Sequence, residues 1–587
     1  MDLTNAVHNQ YSSAVGPFSQ LHHLINSTGP FDASQFSATP YVPDEAIHSE
    51  LFDLDSGLLV PPMWTVFANF SLGRRWIILP NIDPLRPQQI TVRIPNHSKW
   101  PPHLLKPLQA SASFHTSDSR VANLGISRYL VQVLTIWSSS FDDFSSYFET
   151  LFFGTEIVLE EICADMKDVK IRVSPSPWND SFLTVDELQE QWQLPSKLLP
   201  KVIELKDLKL LRILNENVAL VRIEQHFSAQ PVIFKSSPNA PIHIYHELRM
   251  LLTLPHNPHW VKPPLGLVLI PDLQSGPAKV VGIILHYYEG GSLAQKLRTS
   301  TMNGTLSWHD QIRWAKEVTS TLIALNKHAD TYYSDLKPDN ILISTAKLGQ
   351  ADTIVLIDFE QNGAPNAWEA PEIIHIKILN MLSRLAPDSN IREAYQGMLK
   401  DLVGTNEDDM PGRYRYRPRG HHVAWSHLSA SECEAAEVFA LGKVLYCIFE
   451  GVESIATSVM TSRPTEQELE FPRFIRSPPS LQDLILKCTA GAREHDRAAP
   501  FVVRVRNTLY PRGKSGVDGE PLGSARDLVE VSRKLWMKVL TDAGDFWAAK
   551  VRYSSGMHTE KDLTILPYFQ RPTLEGVLQV LNKIEMG

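Results

Sequence analysis

A chain of 587 residues is too long for a single hydrophobic core, so two or more domains are expected. Its 43% hydrophobic and 21% charged residues are the proportions of a soluble globular protein, which excludes disordered, collagen-like and membrane-embedded classes. A formal net charge of −9 and a pI near 6.2 give no general pull toward nucleic acid or anionic lipid, and neither is expected as a partner. The four cysteines, Cys163, Cys433, Cys447 and Cys488, are scattered without a C-x-x-C pair, so they read as reduced thiols and not as a zinc ribbon or a disulfide framework. The first residues, MDLTNAVHNQYSSAV, lack the basic and apolar parts of a secretory signal. Apolar runs such as Val280 to Leu285 fall far short of the ~20 residues of a membrane span. An intracellular protein is expected, cytoplasmic in the simplest case, with the nucleus left open.

Residues 1–40 are polar, rich in Ser, Asn and Gln, and are expected to be a flexible terminus. Residues 41–200 read as a small α+β domain of unassigned role. Strands are expected in MWTVFANF, RRWIILPNI and QQITVRIP, which are β-branched and aromatic runs separated by Gly, Pro and Asn. One helical stretch is expected over about Ser127 to Phe153, where Leu130, Leu134, Trp137, Phe141 and Phe144 recur at three- and four-residue spacing. A second, TVDELQEQWQL, begins with Thr184 and has Glu187 three residues on, the pattern of a capping box. Pro195 and Pro200 bracket a linker. Trp64 and Trp76 are read as core residues and not as a binding surface.

The chemistry begins after residue 202. Phosphoryl transfer needs a carboxylate to orient the attacking hydroxyl, a cation for the moving phosphoryl group and an oxygen ligand for a metal. Tyr332 to Ile343, YYSDLKPDNILI, offers Asp335, Lys337 and Asn340 at offsets of zero, two and five, followed by an apolar strand. Farther on, VLIDFEQ places Asp358 at the end of another apolar strand.

This D-x-K-x-x-N spacing resembles the catalytic loop of the eukaryotic protein kinase superfamily, and Asp358-Phe359 resembles its metal-binding Asp-Phe-Gly element. The resemblance extends over about residues 202–587. Lys235, ending PVIFK, matches the lysine that holds the α- and β-phosphates, and Glu247 in YHELRML matches the helix glutamate that pairs with it. LPHNPHWVKP resembles the turn into the fourth strand. VVGIILHYYEGGSL resembles strand five with Leu285 as gatekeeper, a hinge at His286 to Tyr288, and the start of the next helix. Glu369 to Ile373 resembles the Ala-Pro-Glu element, EVFALGKVLYCIFEG the central helix of the large lobe, and RPTLEGVLQVL its last helix. The fold implied is α+β: a bilobal kinase-like fold, with a β-rich small lobe and a helical large lobe, behind the N-terminal α+β domain. ATP and Mg2+ are the implied cofactors, with Asp335, Lys337 and Asn340 catalytic, Asn340 and Asp358 as metal ligands, and Lys235, Glu247, His286, Tyr288 and Asp358 around the nucleotide. Lys337 resembles the serine/threonine branch.

Four departures from the family pattern stand out. No Gly occurs between Gly154 and Gly266, so the phosphate-covering turn, expected in LRILNENVALVRI, must rely on Asn215 and Asn217, which accept positive φ better than other non-glycine residues. The usual His-Arg-Asp reads Tyr333-Ser334-Asp335, with Tyr333 free to stack under Phe359. The segment Asp358 to Glu372 is short and holds no Ser, Thr or Tyr, so control by phosphorylation there is not expected; packing by Trp368 is. The aspartate that braces the catalytic loop in the family is Glu437, one methylene longer.

Two insertions are expected, at about 374–430 and 492–566. The first should hold the helix IIHIKILNMLSRL and then basic loop; the second a Gly-rich turn near 513–523 and a helix from Ala525 to about Val539. His421, His422 and His427 lack a carboxylate or Cys at ligand spacing and read as loop histidines. Arg497 and Arg571 are both candidates to pair with Glu372. Three functions stay open: a Ser/Thr-directed phosphotransferase with a protein substrate or partner, a pseudokinase that binds ATP without turnover, and a kinase-fold enzyme acting on a small molecule.

Overall fold

The computed structural model describes residues 63–586, leaving out chiefly 105–123, 225–229, 345–351, 404–413, 456–470 and 513–524. The terminus at 1–40, the turn at 513–523, His427 and Arg497 therefore lie outside the described residues. The architecture is α+β with mixed β-sheets.

The first sheet takes strands β1 (Trp64–Phe70), β2 (Arg75–Pro80), β3 (Thr91–Arg93), β4 (Glu156–Leu159) and β5 (Ile171–Ser174) in chain order. Only β3 and β4 run parallel, and a parallel pair needs a long crossover. Helices α1 (Leu124–Ser138) and α2 (Phe144–Glu149) lie within that connection. The single helix expected over 127–153 is therefore two. Asp143 ends the run by capping the second helix, its side chain accepting from Ser146 N–H at 3.1 Å. Trp137, Phe141, Phe144 and Tyr147 then fold onto one another across the break. Trp64 and Trp76 are buried in this core.

The second sheet contains β6 (Lys201–Glu204), β7 (Leu208–Asn215), β8 (Val218–Ile223), β9 (Val232–Ser236), β10 (Gly266–Ile270) and β11 (Lys279–His286), in the order β6-β10-β11-β9-β8-β7. Helix α3 (Val185–Trp192) starts with the expected capping box: Thr184 Oγ1 accepts from Glu187 N–H and the Glu187 carboxylate from Thr184 N–H. Its Leu188 and Trp192 share a core with Ile244, Tyr245 and Leu248 of helix α4 (Pro241–Thr253).

Beyond β11 the chain is mostly helical: α5 (Leu293–Met302), α6 (Trp308–Asn326), the hairpin β12 (Ile341–Ser344) and β13 (Thr353–Leu356), α7 (Pro371–Leu385), α8 (Ser389–Val403), α9 (Ala430–Glu450), α10 (Pro479–Cys488), the hairpin β14 (Val502–Val505) and β15 (Thr508–Pro511), α11 (Ala525–Ser554) and α12 (Leu574–Met586). Every residue of α9 from Ala435 to Glu450 is buried, so this helix is the axis around which the others pack. It stops at Gly451, whose left-handed φ of +70° glycine adopts at less cost than other residues.

Both insertions are more helical than their polar sequence suggests. Helix α8 stands where loop was expected, and α11 runs to Ser554, well beyond Val539. Their apolar faces explain it. Ile378 and Leu382 of α7 meet Leu535, Trp536 and Val539 of α11, and Leu379 meets Ala543 and Trp547, giving the two insertions a core of their own. All four cysteines are free. Among the described residues, no helix is long and apolar enough to cross a membrane.

Candidate active site

Lys235 lies near the end of β9, follows Phe234, which is buried in the sheet core, and pairs with Ile283 of the neighbouring strand β11. Gly282 permits that closeness, since a Cβ there would sit 2.5 Å from the Lys235 carbonyl oxygen. The Lys235 ammonium touches three carboxylates: Glu247 Oε2 at 2.6 Å, Asp358 Oδ1 at 2.7 Å and Glu360 Oε1 at 3.0 Å. Glu247 is fully buried on α4, and its other oxygen accepts the Phe359 N–H at 3.1 Å. Asp358 holds a left-handed backbone, φ +68°, a strained conformation that an aspartate tolerates better than most residues. Burial would lower the Lys235 ammonium, but Asp358, Glu247 and Glu360 together hold it well above the ordinary lysine value. Burial likewise opposes ionisation of Asp358, yet Lys235 keeps its carboxyl below the usual range.

The second group is local. Asp335 Oδ2 accepts from Lys337 Nζ at 2.5 Å and from Asn340 Nδ2 at 2.8 Å, while Asn340 Nδ2 also reaches the Asp335 carbonyl at 2.9 Å. The offsets of two and five bring the three side chains together because Pro338 to Asn340 form one 3-10 turn ahead of β12. Asp335 Oδ1 is buried without a hydrogen-bond partner. Burial pushes the Asp335 carboxyl up to about 7, against the pull of Lys337. The two groups adjoin: Ile357 N–H donates to the Asn340 carbonyl at 3.1 Å, and the Tyr333 ring meets Phe359 edge-on, 5.3 Å between centroids. The stacking expected of Tyr333 is thus a T-shaped contact.

His286 and Tyr288 stand apart from these groups. His286 is paired with Val232 three strand residues from the Lys235–Ile283 register point, and burial lowers its imidazole and raises the Tyr288 phenol. The glycine-free turn between β7 and β8 closes as a hairpin, but not as expected. Neither Asn215 nor Asn217 takes a positive φ. Instead the Asn215 side chain accepts the Asn217 N–H at 2.8 Å, an Asx turn that needs no left-handed residue.

The segment after Asp358 is held by ties that its sequence did not disclose. Ser334, the residue before Asp335, accepts the Gly363 N–H at 3.0 Å. Gln361 donates to the Tyr332 carbonyl at 3.1 Å and accepts from His246 Nε2 at 2.6 Å, joining the segment to α4 next to Glu247. The buried Lys443 of α9 donates to the Ala367 carbonyl at 2.6 Å. Trp368 is buried, as expected of a packing residue. Behind α4, the Tyr245 hydroxyl accepts the Leu183 N–H at 2.9 Å and donates to the Val280 carbonyl at 2.7 Å, and Trp192 Nε1 donates to the Tyr414 hydroxyl at 2.8 Å. His421 and His422 join this packing, His421 against the Tyr414 and His246 rings and His422 with Nε2 3.6 Å from Glu369.

Glu437 spans its distance despite the extra methylene. Its Oε1 accepts the Tyr333 N–H at 2.6 Å and its Oε2 the Asn326 amide at 2.6 Å. Burial pushes its carboxyl from an ordinary value of 4.5 up to about 8. The folded chain therefore holds a proton there that the unfolded chain releases, and that part of the stability is complete below 4.5 and lost as pH rises through about 8. Glu437→Gln keeps an acceptor for Tyr333, and Asn326, turned about its amide, can accept from the new one. The variant should lose less stability between about pH 5 and pH 8 than the parent, by on the order of 2–4 kcal/mol. Urea midpoints across that range check it; parallel pH profiles would reject the assignment.

Of the two arginines that sequence could not separate, Arg571 pairs with Glu372, Nη1 to Oε1 at 2.6 Å and Nη2 to Oε2 at 3.0 Å.

Asn340 and Asp358 fit a hard divalent cation by donor type, since both offer oxygen. Asn340 donates through Nδ2 and so keeps its carbonyl oxygen for a ligand, and the Asp358 side chain remains 28% exposed. Four carboxyls, those of Asp335, Glu247, Asp358 and Glu360, meet the two ammoniums of Lys235 and Lys337, and burial pushes the Asp335 and Glu247 carboxyls up to about 7. Among the described residues, Glu247, Asp358 and Glu360 form the one group of three or more His, Cys, Asp or Glu side chains close enough together to share a cation, and the cation between them is the Lys235 ammonium. Compared with known proteins, the chain matches no family model and no curated protein.

Proposed function

We propose that the chain is an ATP- and magnesium-dependent, protein-kinase-like phosphotransferase that acts on Ser/Thr hydroxyls of a protein substrate. The observation that carries this reading is the convergence of Lys235, Glu247 and Asp358 within 2.7 Å contacts beside the Asp335–Lys337–Asn340 loop. In this reading the sheet β6–β11 with α4 forms the smaller of two lobes and the helices from α5 onward the larger. Lys235 holds the nucleotide phosphates and Glu247 holds Lys235. Asp335 orients the acceptor hydroxyl and receives its proton, which a carboxyl pushed up to about 7 suits. Lys337 offsets charge on the moving phosphoryl group. Asn340 and Asp358 hold the magnesium ion, which when bound neutralises phosphate charge. The backbone of His286 to Tyr288 faces the adenine. The ties of Ser334, Gln361 and Lys443 to the segment 358–372 support activity without phosphorylation there.

Asp358→Ala tests the nucleotide reading. A ligand at a hundredfold excess over its Kd stabilises the folded state by about 2.7 kcal/mol, so Mg-ATP should raise the unfolding temperature of the parent chain by several degrees. The variant, stripped of the metal ligand, should show no such rise. Equal shifts in both proteins would remove Asp358 from the metal site.

A second reading, nucleotide binding without turnover, draws on Glu360, whose carboxylate lies 3.0 Å from the Lys235 ammonium. Transfer of labelled phosphate from ATP to a generic basic protein separates the two, since only the first reading yields labelled product.

A further inference from the structure

Building on the proposed nucleotide site, we infer that Glu360 is a specificity-determining residue: it admits a polyphosphate to Lys235 only when a divalent cation accompanies it. The Lys235 ammonium is surrounded by three carboxylates, at 2.6, 2.7 and 3.0 Å, and donates a hydrogen bond to Asp358. A phosphate that comes to Lys235 competes with these carboxylates for the same ammonium. Glu247 is fully buried and anchored at its second oxygen by the Phe359 N–H. Asp358 is fixed by its left-handed backbone between β13 and Phe359. Glu360 makes the longest of the three contacts, has a side chain 20% exposed, and sits on three rotatable bonds, so it is the one that yields.

Its departure does not remove its charge. The displaced carboxylate stays beside the entering phosphates, in a site where carboxyls already outnumber ammoniums four to two. A free nucleoside triphosphate then meets repulsion in poorly solvated surroundings, where charges interact more strongly than in water. A nucleotide chelated to a divalent cation brings its own counter-charge and avoids most of that repulsion.

The test is titration calorimetry on the full chain with ATP in excess EDTA and with Mg-ATP, for the parent, Glu360→Gln and Glu360→Ala. The parent should favour Mg-ATP over free ATP by about a hundredfold or more, and both variants should bind free ATP about tenfold or more tighter than the parent while keeping Mg-ATP affinity within about threefold. Unfolding temperatures measured alongside establish that each variant is folded, and agreement between the two substitutions separates charge from side-chain shape. The inference is overturned if both variants keep the parent's ratio of the two affinities. It is equally overturned if Mg-ATP binding weakens more than tenfold, since Glu360 would then be a metal ligand. Failure of the parent to bind either form removes the nucleotide site itself, a result distinct from an unchanged ratio, and the inference falls with it.

Discussion

Asp335→Asn should lower phosphoryl transfer by roughly 10²–10⁴-fold and leave the Kd for Mg-ATP within about threefold. Asparagine is close to isosteric, and its oxygen can take the place of Oδ2, which accepts from Lys337 at 2.5 Å and Asn340 at 2.8 Å. Its amide then falls where Oδ1 now lies buried without a partner. The loop should keep its shape while losing the group that accepts the acceptor's proton, and an interaction made only in the transition state costs turnover and not nucleotide affinity. Burial sharpens the contrast, because a carboxyl pushed up to about 7 is poised to exchange a proton near neutral pH and an amide is not. Rates at saturating ATP, with calorimetric binding beside them, give the result. Full turnover in the variant would make Asp335 a structural residue, and a matching loss of ATP binding would place it in the nucleotide site.

The largest stability loss is expected at Arg571. Its guanidinium makes two parallel contacts to Glu372, at 2.6 and 3.0 Å, and donates to the carbonyls of Ala435 at 3.0 Å and Ala490 at 3.0 and 3.1 Å. Both side chains of the pair are completely buried. The pair ties the start of α7 to α9, to the turn after α10 and to the chain just ahead of α12. Arg571→Ala strands the Glu372 carboxylate without solvent or partner, and breaking a buried pair from one side costs about 3–5 kcal/mol. Arg571→Lys should restore little, since an ammonium cannot reproduce the planar fork. The double variant Arg571→Met, Glu372→Leu should lose less than Arg571→Ala alone, because it leaves no unpaired charge. Urea unfolding followed by tryptophan fluorescence measures all three. A loss below about 1 kcal/mol for Arg571→Ala would show that Glu372 finds another partner.

The sequence by itself determined what depends on near neighbours. The Thr184–Glu187 capping box appears where spacing placed it, Asp335, Lys337 and Asn340 come together at their offsets of two and five, and helices occupy IIHIKILNMLSRL and most of EVFALGKVLYCIFEG and RPTLEGVLQVL, the first expected from its pattern and the other two from resemblance. Each rests on contacts within a few residues or on a run rich in apolar residues, and such information is written locally. Tertiary structure decided the rest. Glu360 reaches Lys235 across 125 positions of chain, Arg571 reaches Glu372 across 199, and Trp192 meets Tyr414 across 222. No local pattern ranks one distant partner above another, because that choice is made by the path of the whole chain. The insertions obeyed the same rule: α8 read as loop and α11 as a helix ending near Val539, and the packing of Tyr395 and Met398 with Leu379, Ala543 and Trp547 joins α8 and the extension of α11 to α7 through a core no local pattern shows.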